Sequence, residues 1–118
     1  MIVDDSEQFL RAAMSSLSRN GVEIVGTAID SETALEQVAR LRPDGVLVDV
    51  GLGDESGFDL ASRLVDAFPE LAERVVLIST RSEDEYGELV EASPAAGFIL
   101  KSELSASAVQ ALVSPYEA

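Results

Sequence analysis

Four short apolar runs along the chain each stop on a polar residue: Ile2-Val3 on Asp4-Asp5, Val46-Leu47-Val48 on Asp49, Val75-Val76-Leu77-Ile78 on Ser79, and Phe98-Ile99-Leu100 on Lys101. Unbroken apolar runs bounded by turn residues indicate strands buried on both faces, the signature of a parallel sheet covered by helices. Between them the period changes. After Ser6, a candidate cap, Phe9, Leu10, Ala13, Met14 and Leu17 recur at helical spacing until Asn20-Gly21 ends the segment. Residues 22–28 read as a second strand, and Asp30 or Ser31 caps a second helix carrying Ala34, Leu35, Val38 and Leu41, closed by Pro43.

The third strand, residues 45–49, runs into a loop, Gly51-Leu52-Gly53-Asp54-Glu55, ahead of a helix over residues 56–68. The fourth strand covers residues 74–79. The fourth helix, residues 83–92, is weakly apolar, with only Tyr86, Leu89 and Val90 to face inward. Residues 96–100 form the fifth strand, and Ser105 caps a last helix with Ala108, Val109, Leu112 and Val113. Ser56 with Asp59, and Ser82 with Glu85, match the capping-box spacing. Five alternating units with short connections predict one α/β domain over residues 1–118, a doubly wound five-stranded parallel sheet with five helices and right-handed crossovers. In the flavodoxin-like order 2-1-3-4-5, strands one and three flank the switch point, where ligands bind outside the carboxyl ends of the strands. Asp4, Asp5, Asp49, Ser79 and Lys101 then point into one crevice.

Composition narrows the chemistry. With no cysteine and no histidine, disulfides, thiol catalysis, a Ser-His-Asp triad and most zinc sites are excluded. A net charge of −14 disfavours direct binding to nucleic acid or anionic lipid. No apolar run approaches the roughly 18 residues of a membrane span, so a cytoplasmic location is the default expectation. Three clustered carboxylates repel one another and raise their own pKa values unless cations intervene. A divalent ion with the single lysine balances them, and Mg²⁺ tolerates a site of one or two carboxylates completed by water. Each residue alone has a bland reading: Asp4 and Asp5 as turn and cap residues, Asp49 as a strand end, Ser79 as uninformative. It is their conjunction at four strand ends that points to phosphoryl chemistry, in which Lys101, Ser79 and a metal grip a group carried on Asp49.

The series Ile2-Val3-Asp4-Asp5, Val48-Asp49, Ile78-Ser79 and Gly97-Phe98-Ile99-Leu100-Lys101 resembles a bacterial two-component response regulator receiver domain over essentially the whole chain. The resemblance implies that Asp4, Asp5 and Asp49 bind Mg²⁺, directly or through water, with the Gly51 backbone carbonyl as a further ligand. It implies that Asp49 takes phosphate from a histidine kinase or phosphotransfer protein, in a step the domain itself catalyses. Ser79 and Lys101 would hold phosphoryl oxygens, and Ser79 and Phe98 would move together as a switch. A downstream protein or fused output domain would read the result through helix four, strand five and helix five, and a homodimer through the first and last helices is a second option.

Some positions depart from the family pattern. Gly53 stands where many receivers have proline, which predicts a more flexible loop. Ser102 follows the lysine, a variation resembling receivers with helix-turn-helix output, and Thr80 is bulkier than the usual residue there. The short first strand at Met1, and Pro115, Tyr116 and Ala118 at the other end, suggest either a single-domain regulator or a receiver cut from a longer chain. Two rival classes are a small Mg²⁺-dependent aspartyl-phosphate phosphohydrolase and a phosphate-independent interaction module. Adjacent rather than alternate acids and the lack of a cap segment speak against the first, and retention of all five site residues against the second.

Overall fold

The computed structural model describes residues 1–113; the side chain of Val113 and residues 114–118, with Pro115, Tyr116 and Ala118, lie outside the described residues. In chain order the elements are β1 (Ile2–Val3), α1 (Glu7–Arg19), β2 (Thr27–Ala28), α2 (Ser31–Leu41), β3 (Val46–Asp49), β4 (Gly51–Leu52), β5 (Glu55–Ser56), α3 (Gly57–Ala67), β6 (Val75–Ser79), α4 (Glu88–Ala92), β7 (Gly97–Leu100) and α5 (Ala106–Val113). The main sheet runs β2-β1-β3-β6-β7 with every neighbouring pair parallel. Leaving aside the short ribbon of β4 and β5, this is the flavodoxin-like order 2-1-3-4-5, in a doubly wound α/β fold with five helices.

The continuous apolar runs are explained by how their residues divide. Val3, Val46, Val48, Val75 and Leu77 face a layer that holds Ala34 and Val38 of α2 and Leu60, Ala61 and Leu64 of α3. Their neighbours Ile2, Leu47, Val76, Ile78 and Ile99 face Leu10, Ala13 and Leu17 of α1 and Ala106 and Val109 of α5. Each fully buried valine, leucine or isoleucine contributes about 1.5–3 kcal/mol relative to exposure. The strands therefore cannot slip by one residue without exchanging two filled layers. Helix starts are set by side chains: Ser6 accepts from the Phe9 N–H, Asp30 from Thr33, Ser56 from Phe58 and Asp59, and Ser105 from Ala108. The Arg42 backbone, at φ 48°, ends α2 just before Pro43.

Several expectations are corrected. The second strand is only Thr27–Ala28; residues 22–26 run beside the sheet outside the ladder, with Gly26 accepting one bond from Ile2. The segment expected as a plain loop after β3 contains an antiparallel ribbon, Gly51 opposite Ser56 and Leu52 opposite Glu55, turned by Gly53 at φ 64° and Asp54. The single fourth helix does not form. Residues Glu83–Glu85 make one 3₁₀ turn, Gly87 adopts φ 47°, and only Glu88–Ala92 is α-helical. Ser82 caps nothing through its side chain, so the Ser82–Glu85 capping box is absent. Leu89 is 55% exposed rather than inward, and Met14 is exposed beyond the buried stripe of α1. A five-residue segment rich in Glu has too few inward apolar positions to hold a full helix against the sheet.

Candidate functional site

The site is built where β1, β3, β6 and β7 end. Asp4 follows β1 and is completely buried, its Oδ1 accepting from the Ser6 N–H at 2.8 Å. Val3 pairs with Val48, so the next residues along, Asp4 and Asp49, stand side by side at the carboxyl edge. Lys101 follows β7, which is separated from β3 by β6. Only a long side chain crosses that gap, and Lys101 Nζ lies 2.5 Å from Asp4 Oδ2 and 3.5 Å from Asp49 Oδ2. The Phe9 ring of α1 covers the ammonium at 4.3 Å from its centroid. Cation–π contact and two carboxylates fix the head of a side chain that would otherwise be the least ordered part of the crevice.

Burial, and then the neighbouring charge of Asp4, push the Asp49 carboxyl above its ordinary value; Lys101 and the Gly51 N–H, which donates to Asp49 Oδ1 at 3.4 Å, act in the opposite sense. One ammonium does not neutralise three carboxylates. Oxygens of Asp4, Asp5 and Asp49 all lie within 4.8 Å of one another, with Asp5 exposed and the other two buried. The buried Oδ2 of Asp4 receives no hydrogen bond of good geometry among the described residues and has the Lys101 contact as its compensation. An all-oxygen, acid-rich donor set with an under-compensated buried oxygen fits a hard divalent cation. Two oxygens on one Mg²⁺ stand at most about 4.2 Å apart, and Asp5, the exposed member of the three, fits as a ligand that acts directly or through water.

Ser79 ends β6 beside the acids: Asp49 pairs with Ile78, one residue earlier. Its hydroxyl is nevertheless engaged elsewhere, accepting from the Arg81 N–H at 3.0 Å and lying 3.0 Å from the Tyr86 hydroxyl. Phe98, on β7, is half-buried, its ring 5.9 Å from that of Tyr86. The structure thus brings Asp4, Asp5, Asp49 and Lys101 into mutual reach, places Ser79 on the adjacent strand end, and sets Phe98 against Tyr86. For Gly51 it gives a backbone N–H directed at Asp49.

Four contributors were not legible as such. Tyr86 and Phe9 read as core positions of helices, Gly57 as an ordinary first-turn residue of the third helix, and Glu55 as a loop acid. A Cβ at Gly57 would collide with the Asp49 backbone, and Glu55 Oε1 accepts from the Ser31 N–H at 2.8 Å, tying the ribbon to α2. The one sequence signal for Gly57 was its place directly after a helix cap.

Comparison with known proteins defines the class. The response regulator receiver domain family matches residues 1–113, and the chain belongs to that family. It is 30% identical over 104 residues to the oxygen regulatory protein NreC of Staphylococcus aureus, a match covering 86% of this chain and 47% of the relative. The chain therefore spans about half the length of the curated relatives it matches. The signal receiver domain of NarL from Mycobacterium tuberculosis superimposes with a TM-score of 0.79 at 32% identity, over 96% of this chain and 90% of that one. The receiver domain of NtrX from Brucella abortus gives a TM-score of 0.78 at 27% identity, over 96% and 92%. No helix among the described residues is long and apolar enough to cross a membrane.

Proposed function

We propose that residues 1–118 form one receiver domain that takes a phosphoryl group onto Asp49 from a histidine kinase or phosphotransfer protein and thereby switches a protein-interaction surface. The observation that carries this is the placement of Lys101 Nζ against both Asp4 and Asp49 at the end of a buried sheet. Ionised Asp49 is the nucleophile: one carboxylate oxygen bonds to phosphorus as the bond from phosphorus to the donor breaks. Lys101, already paired with both acids, receives one of the phosphoryl oxygens, and Ser79 donates its proton to another. Asp4, Asp5, Asp49 and the Gly51 carbonyl are the residues to hold Mg²⁺, which when bound supplies the positive charge that three acids and a phosphoryl group require. The domain is no enzyme toward an outside substrate; phosphorylation and dephosphorylation of Asp49 are its own.

The switch couples Ser79 to Phe98, and its reader is a downstream protein or a fused output domain, for which the half-length match to NreC leaves room. A homodimer is a second form of output. The net charge of −14 argues against direct nucleic-acid or membrane contact by this domain, and a cytoplasmic location goes with the kinase partnership.

Intact-mass measurement after incubation with Mg²⁺ and acetyl phosphate tests the reading. A single phosphoryl adduct in the wild type that vanishes in Asp49→Asn is expected. Repeated turnover of unrelated phosphate esters would favour a phosphohydrolase instead, and no adduct with any donor would favour the phosphate-independent module.

A further inference from the structure

Tyr86 belongs to none of the roles above, yet its hydroxyl is tied to the switch serine. Ser79 Oγ lies 3.0 Å from Tyr86 Oη and accepts from the Arg81 N–H at the same distance. Either hydroxyl of that pair can be the donor; a hydroxyl has one proton, and when Ser79 donates it to Tyr86 none is left for a phosphoryl oxygen. Neither resting partner of Ser79 is Asp49. The Tyr86 ring is clasped between Phe58 of α3, at 5.5 Å and 61°, and Phe98 of β7, at 5.9 Å and 47°. These contacts join α3, the Tyr86 segment and β7.

The segment around Tyr86 has few other anchors. It consists of a 3₁₀ turn without a side-chain cap, the positive-φ Gly87, and a five-residue helix whose Leu89 faces solvent. Its neighbours Glu83, Asp84, Glu88 and Glu91 are exposed acids that repel one another, and Glu85 has only an exposed ion pair with Arg81 at 3.5 Å. Tyr86 is thus the fastening of a segment poised to come loose.

We propose that Tyr86 is a latch: its hydroxyl holds Ser79 in the resting arrangement, and Ser79 must let go of it to bond a phosphoryl oxygen on Asp49, which frees residues 83–92. The inference rests on the phosphoacceptor reading and extends it to a positioning residue that acts through Ser79. With Ser79 as the donor to Tyr86, filling the Asp49 site and fastening the Tyr86 segment compete for one proton, and each weakens the other by the same factor.

The test is titration of the Mg²⁺-loaded full chain with beryllium fluoride, a phosphoryl mimic, followed by the fluorine NMR signal of the bound species. Tyr86→Phe keeps the ring between Phe58 and Phe98 and removes only the hydroxyl. It is expected to bind beryllium fluoride about two- to tenfold more tightly than wild type, the equilibrium worth of one neutral hydrogen bond. In a Ser79→Ala background the same substitution should change nothing, whereas a merely structural effect would move both backgrounds alike. Urea unfolding of the metal-free chains gives a second reading: Tyr86→Phe should lower the midpoint in the wild-type background and not in Ser79→Ala. Unchanged or weaker binding by Tyr86→Phe, or equal effects in both backgrounds, overturns the latch. If the wild type binds no beryllium fluoride, the phosphoacceptor reading itself falls and takes the latch with it; binding by wild type without a gain in Tyr86→Phe removes the latch alone.

Discussion

Gly57 packs its bare Cα so closely on the backbone of Asp49 that a Cβ there would stand 2.0 Å from the Asp49 carbonyl oxygen, and 2.8 Å from the Cα of Val50. Its N–H donates to the Val50 carbonyl at 2.7 Å, so the first residue of α3 is pinned just beyond the end of the strand that carries Asp49. The geometry of the site thus depends on an atom that is missing.

Gly57→Ala is expected to destabilise the domain. Alanine gains up to about 1 kcal/mol of helix propensity, but the collision is with backbone, which cannot rotate aside. Forcing a methyl into a filled space costs about 1–3 kcal/mol and more where the surroundings are rigid. A net loss of about 2 kcal/mol, read from the urea midpoint, should follow. Gly51→Ala is the control: nothing lies within 4 Å of its Cβ position, so it should fall within about 0.5 kcal/mol of wild type.

The raised pKa of Asp49, caused first by burial and then by Asp4, makes the folded chain hold that proton more tightly than the unfolded one. The stability tied to protonated Asp49 is therefore complete below the ordinary carboxylate range and is lost as pH rises through the raised value. Asp49→Asn should accordingly become more stable than wild type on going from about pH 4 to neutrality, in metal-free buffer. Urea unfolding at a series of pH values checks it; a difference that stays flat with pH would contradict the charge argument. Millimolar Mg²⁺ should shrink the difference, because the added positive charge offsets what burial and Asp4 impose.

Lys101→Met tests the buried pair. Removing one partner of a fully buried ion pair costs about 3–5 kcal/mol, and the Lys101 side chain keeps 14% exposure while Asp4 has none. A loss at or just below the lower end, about 2–3 kcal/mol, is expected without metal. Mg²⁺ at a hundred times its dissociation constant should restore about 2.7 kcal/mol. A variant that Mg²⁺ fails to stabilise would show that the three acids do not bind it. Lys101→Arg should not substitute, since a rigid planar fork cannot place a point charge between Asp4 and Asp49 under the Phe9 ring.

Much of this site was legible because its residues sit at the ends of unbroken apolar runs, where a strand boundary and a functional position coincide. The convergence of Asp4, Asp5, Asp49 and Lys101 follows from that pattern once the strands take the order 2-1-3-4-5, an order the runs themselves leave open. What was not legible depends on contacts between distant segments. Residues 22–25, apolar but for Glu23, read as strand, but an edge position gave them one neighbour to pair with, and Val25 ends 42% exposed. The Tyr86, Leu89 and Val90 spacing fits a helix, yet Gly87 breaks it and the tyrosine is taken up by Ser79. Whether a glycine serves a turn or a close approach, as at Gly53 and Gly57, is a property of what lies opposite, which spacing does not encode.

Glu55 makes the ribbon more than a loop. Its Oε1 accepts from the Ser31 N–H at 2.8 Å while Asp30 accepts from Thr33 at 2.8 Å, so two carboxylates serve the N-terminus of α2. Such placement satisfies two backbone donors and complements the helix dipole. At the turn between β4 and β5, a Cβ on Gly53 would lie 3.5 Å from Asp5 Oδ2, so the ribbon that Glu55 anchors borders the exposed edge of the acidic cluster. Glu55→Ala should cost about 1 kcal/mol as a lost cap, and Glu55→Gln less, since its amide oxygen still accepts. If the anchor also holds the ribbon over the acids, Mg²⁺ affinity measured by calorimetry should fall in Glu55→Ala and be largely kept in Glu55→Gln. Equal affinity in both variants would confine Glu55 to the helix it caps and leave the ribbon without a part in metal binding.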